Sequence, residues 1–96
     1  MKPSIALNGK RDEILQIAER YGASNVRVFG SVARGEDTER SDLDLLVDMD
    51  DDRPLSDLAV FAEDVREALH CRVQAVTADS LHRLLKKRIL SEAIPL

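Results

Sequence analysis

Residues 42–48 (DLDLLVD) alternate with a period of two, so that Leu43, Leu45 and Val47 share one face and Asp42, Asp44, Leu46 and Asp48 the other. The segment predicts a strand whose apolar face needs a core. Asn25 to Gly30 (NVRVFG) places Val26 and Val28 together and predicts a strand closed by glycine. Arg72 to Thr77 (RVQAVT) predicts a third, with Arg72, Gln74 and Val76 on one face and Val73 and Ala75 on the other. Between the strands the period changes. From Asn8 on, Leu7, Arg11, Ile14, Leu15 and Ala18 fall at helical spacing, with Gly22 as terminator. Leu58, Phe61, Ala62, Val65 and Leu69 trace a second amphipathic helix, with Pro54 ending the preceding strand and Ser56 as cap. Leu81, Leu84, Leu85 and Ile89 mark a last helix capped by Asp79 or Ser80, and Ser31–Arg34 a short one; residues 1–6 read as a loose leader. This order predicts one α/β (α+β) domain over 1–96, with an approximately three-stranded mixed sheet and helices packed on one of its faces.

Composition narrows the function. The aromatics are Tyr21, Phe29 and Phe61 alone, so the core must be built from Leu, Ile, Val and Ala. Acidic residues outnumber basic ones, 18 to 14, for a net charge of −4, which argues against strong nucleic-acid binding through a basic surface. No apolar run approaches the roughly 20 residues of a membrane span, and nothing resembles a signal peptide. The lone Cys71 can form no internal disulfide, and a reducing cytoplasm fits it best. Self-association is left open.

Chemistry concentrates in 28–48. A strand ends at Gly30-Ser31 before a helix start, where glycine permits close backbone approach and free N–H groups and a hydroxyl suit phosphate oxygens. Asp42 and Asp44 then share a strand face, about 7 Å apart along the chain at ~3.3 Å per residue. Two acids heading an apolar strand repel each other, and a hard cation such as Mg²⁺, shared with substrate phosphates, would relieve that. Arg34 and Arg40 flank the intervening loop and could meet phosphate charge. Taken singly, a Gly-Ser is usually a turn and an Asp-x-Asp a solvated face; the combination is harder to explain that way.

The runs FGSVARGE (29–36) and SDLDLLV (41–47) resemble the signature of the minimal nucleotidyltransferases, compact members of the polymerase-β-like nucleotidyltransferase superfamily. The flanking helix and strand patterns agree, so the likeness extends over nearly the whole chain. The resemblance implies Gly30 and Ser31 at the nucleotide phosphates, Asp42 and Asp44 as catalytic Mg²⁺ ligands, and ATP as co-substrate. It further implies an antitoxin that transfers AMP to a HEPN-type toxin, a helical RNase encoded nearby.

One position departs from that pattern. The family's third carboxylate falls where this chain has Gln74, and a neutral amide cannot take a proton. Loss of general-base help typically costs 10²–10⁴-fold in rate. Asp48 lies about 13 Å along the strand from Asp44 at ~3.3 Å per residue, too far to replace it. Asp50–Asp52 read as a solvated run; Glu36 and Asp37 are the nearer substitutes. His70 and His82 read as surface residues, Cys71 as semi-buried, and Lys86-Lys87-Arg88 as a solvated helix face. The apolar end, Ile89-Leu90 and Ile94-Pro95-Leu96, suits either core closure or a partner interface. Two other functions compete with the transferase: a catalytically weakened module of the same fold that neutralises the toxin by contact, and a nucleic-acid-modifying enzyme, which the acidic balance disfavours.

Overall fold

The strand made by 43–49 is the centre of the molecule, and its alternation sets the layers around it. In the computed structural model, which describes residues 1–96, β1 (Ala23–Phe29) and β2 (Leu43–Met49) pair antiparallel, and β2 and β3 (Val73–Val76) pair parallel. Leu43, Leu45 and Val47 are wholly buried and meet Ile14, Ile17 and Ala18 of α2 (Arg11–Arg20) and Phe61, Ala62 and Val65 of α4 (Leu55–Leu69). Each such aliphatic side chain contributes about 1.5–3 kcal/mol on burial, which explains why this register holds. The two long helices therefore cover one sheet face, as the pattern predicts.

Several boundaries differ from the pattern reading. The sheet has four strands in the order β3-β2-β1-β4, because the tail returns as β4 (Ile94–Pro95), with Ile94 opposite Val28 and Pro95 opposite Arg27. Pro95 is tolerable because β4 is an edge strand. Residues 3–7 form a helix, α1 (Pro3–Leu7), with proline in its first turn; α2 starts at Arg11 because the chain breaks at Gly9. The short helix α3 (Gly30–Ala33) begins at Gly30 itself. Pro54, not Ser56, occupies the N-cap of α4. A 3-10 turn (Ala78–Ser80) separates β3 from α5 (Arg83–Glu92), whose cap is His82: its Nδ1 accepts the Leu84 N–H at 3.3 Å, while Ser80 donates to the Thr77 carbonyl. Leu46, assigned by alternation to the polar face, is fully buried there, since the 3-10 turn packs against β2. No helix is long and apolar enough to cross a membrane.

Candidate functional site

Because Phe29 stands opposite Asp44 in the β1–β2 ladder, the residue after Phe29 must pass beside the Asp44 carboxylate. That residue is Gly30. Its φ is +75°, which L side chains rarely adopt, and a Cβ placed on it would lie 2.2 Å from Asp44 Oδ2. The sequence suggests glycine for close approach to a ligand; the structure shows that it first makes room for Asp44.

Asp44 is half-buried, and its pKa is pushed up to about 6. Burial is the main cause, followed by the Asp42 carboxylate; Arg34 opposes the shift and Glu92 adds to it. Asp42, at the head of β2, is paired instead: Arg72 Nε lies 2.9 Å from its Oδ1. Arg72 also donates to the Arg40 carbonyl, so it braces the loop that precedes the aspartates. The pattern reading assigned Arg72 no role.

The second residue missed is Glu92, at the end of α5. Its Oε2 accepts the Gly30 N–H at 3.1 Å and its Oε1 accepts Arg34 Nη1 at 2.6 Å. The Arg34 hydrogen bond, the Gly30 N–H and the charges of Arg34 and Arg88 hold its carboxyl below the usual range, against a smaller opposing effect of burial. A cavity of about 150 Å³ lies here, bordered by Phe29, Gly30, Arg34, Leu85, Arg88 and Glu92 among others. The only advance signal was a single acid closing an otherwise basic helix, RLLKKRILSE.

The other sequence candidates separate clearly. Gln74 is the register partner of Asp44 in the parallel pair, so both side chains leave the same face of the sheet, and Gln74 is exposed. No third Asp, Glu, His or Cys joins the pair. Ser31 is half-buried beside Gly30; Arg40 is exposed, its backbone N–H donating to Thr38 Oγ1. Asp48 is bound by Arg27 Nη2 at 3.0 Å and by Asn25 Nδ2 at 3.1 Å, away from Asp44. Asp50–Asp52 stay exposed beyond the far end of β2. The nearer substitutes are also committed elsewhere: Glu36 pairs with Arg34 at 3.4 Å, and buried Asp37 accepts the Ser4 N–H at 2.9 Å, which caps α1 and lowers its pKa. Burial raises the Cys71 pKa, which keeps a thiol and not a nucleophilic thiolate. The larger cavity of about 460 Å³ between α4 and β3 touches Gln74 but neither aspartate.

These residues fit a hard divalent cation. Asp42 and Asp44 offer carboxylate oxygens, and the raised Asp44 pKa marks an anionic position short of counter-charge.

Comparison with known proteins finds relatives over most of the chain. The family model described as nucleotidyltransferase domain matches residues 11–96. A protein of Methanocaldococcus jannaschii, provisionally named a protein adenylyltransferase, is 38% identical over 92% of this chain and 95% of its own length. The protein adenylyltransferase MntA of Thermococcus cleftensis is 35% identical over 82% of this chain and 80% of its own. A solved structure provisionally described as a minimal nucleotidyltransferase superposes with a TM-score of 0.86 at 44% identity, covering 97% of this chain and 95% of that one.

Proposed function

We propose that this chain, which belongs to the nucleotidyltransferase domain family, transfers AMP from ATP to a hydroxyl of a protein partner. The observation that carries this reading is the clearance of Gly30 against Asp44. It sets a backbone N–H and an under-compensated carboxylate side by side, as a metal-bound triphosphate requires.

Gly30 N–H, Ser31 Oγ and Arg34 would orient the phosphates, with Arg40 in reach of charge from the flanking loop. Asp42 and Asp44 would hold Mg²⁺, whose chemistry here is to neutralise phosphate charge. The acceptor oxygen attacks the α-phosphorus, an oxygen–phosphorus bond forms, and the bond to pyrophosphate breaks. The proton of the acceptor hydroxyl must leave without help from a third carboxylate, since Gln74 cannot accept it. Turnover is therefore slow. The partner proposed is a HEPN-type toxin; the T. cleftensis relative is itself named a protein adenylyltransferase, and the similar fold of the MntA–HpeT toxin–antitoxin structure, at 19% identity, supports the fold alone.

Gln74 beside Asp44 also favours a second reading, in which the chain neutralises its toxin by contact without turnover. Incubation with Mg²⁺, ATP labelled at the α-phosphate and the toxin separates the two. Label on the toxin, lost in Asp42→Asn/Asp44→Asn, supports transfer. Toxin neutralised with no label on it supports the contact module.

A further inference from the structure

The phosphate turn already holds an anion, and the anion belongs to the chain. Glu92 reaches across 62 residues of sequence to bridge the Gly30 N–H at 3.1 Å and the Arg34 guanidinium at 2.6 Å. A backbone N–H and a guanidinium on one anion are what a phosphate group would take. Arg88, one helical turn before Glu92, borders the same cavity. One arginine and an N–H thus hold the carboxylate, and a second arginine lines the cavity beside it.

We infer that Glu92 is an internal competitor of the nucleotide phosphates, holding the Gly30 N–H and Arg34 until a triphosphate displaces it. The inference rests on the phosphate role proposed for Gly30 and Arg34. Packing permits displacement: no residue of α5 is buried, and Leu84 is 73% exposed. The helix carrying the carboxylate is therefore lightly held, while its target is fixed by the sheet. Once Glu92 withdraws, Arg34 and Arg88 face the freed space as phosphate partners. Glu92 also adds negative charge near Asp44 while it is docked, so its withdrawal lessens the repulsion there.

A purely structural role for Glu92, pinning α5 to α3, predicts a different result. Titration calorimetry of Mg–ATP, and separately of Mg–tripolyphosphate, into wild type, Glu92→Gln and Glu92→Asp discriminates the two. Glutamine keeps the shape without the charge; aspartate keeps the charge but falls a methylene short. The expected result is affinity about tenfold tighter in both variants, since a charged hydrogen-bond contact no longer has to be broken. Circular dichroism establishes that each variant is folded. Binding equal to or weaker than wild type in both folded variants, with wild type binding measurably, overturns the competitor and leaves the phosphate site standing. Absence of Mg–ATP binding in wild type and variants alike overturns both.

Discussion

The strand-built region and the C-terminal region of this domain are held by different physics. In β1 and β2, Leu43, Leu45 and Val47 are sealed between sheet and helices, and the β1–β2 ladder puts Gly30 against Asp44. In α5 no residue is buried, and β4 is two residues long. The first region fixes a glycine against a carboxylate through the strand register and a sealed core; the second lays a carboxylate over them with little packing behind it. A site built this way has a rigid floor and a light cover. That is how a 96-residue domain could both preorganise a charged pair and regulate access to it.

The largest effect expected in the rigid region is chemical. Gln74→Asp adds a carboxylate beside Asp44 on the same sheet face and should raise AMP transfer by about 10²–10⁴-fold if a missing base limits turnover. Equal transfer rates in variant and wild type would show that Gln74 is not limiting. Next comes packing. Leu45→Ala should lower stability by about 2–5 kcal/mol in a denaturant titration, whereas Leu84→Ala should stay within about 0.5 kcal/mol. Similar losses at both positions would erase the distinction between the two regions. A finer comparison lies within the turn. Gly30 and Gly35 both have positive φ, but a Cβ at Gly35 meets nothing within 4 Å. Gly30→Ala should therefore cost about 2–4 kcal/mol and Gly35→Ala only about 1 kcal/mol.

The smallest effect is a pH slope. Burial and the Asp42 charge push the Asp44 carboxyl in the folded chain up to about 6, above the ordinary carboxylate value of 3.8. The folded state therefore binds the proton more tightly, and the stability this contributes is complete below the unfolded pKa and lost as pH rises through 6. The shift would amount to about 3 kcal/mol at 1.36 kcal/mol per unit, but Asp44 is half-exposed, so about 1–2 kcal/mol is expected after screening. Asp44→Asn should flatten that slope between pH 4 and 6 in thermal melts. An unchanged slope would assign it to other carboxylates.

The same contrast decides what could be read from the sequence. β2 and α4 were legible because burial on one face imposes a period; that Gln74 stands beside Asp44 depends on the β2–β3 register, which only the fold supplies. α1 was not legible: five residues with a proline start carry no period, and its cap comes from Asp37, 33 residues away. β4 was hidden by its length and its proline. Glu92 was missed for a related reason. Its partners lie on α3, far along the chain, and a lightly packed helix leaves no burial pattern to reveal which residue faces the site.

The central claim is that Asp42 and Asp44 hold a metal-bound nucleotide against Gly30. Thermal melts with and without Mg–ATP test it most directly, because a ligand bound only by the folded state raises the melting temperature. Wild type should show a rise that depends on both Mg²⁺ and ATP. In Asp42→Asn/Asp44→Asn that rise should vanish, while the unliganded melting temperature stays level or increases, since a repelling pair is gone. The same Mg–ATP shift in the double variant as in wild type would contradict the claim.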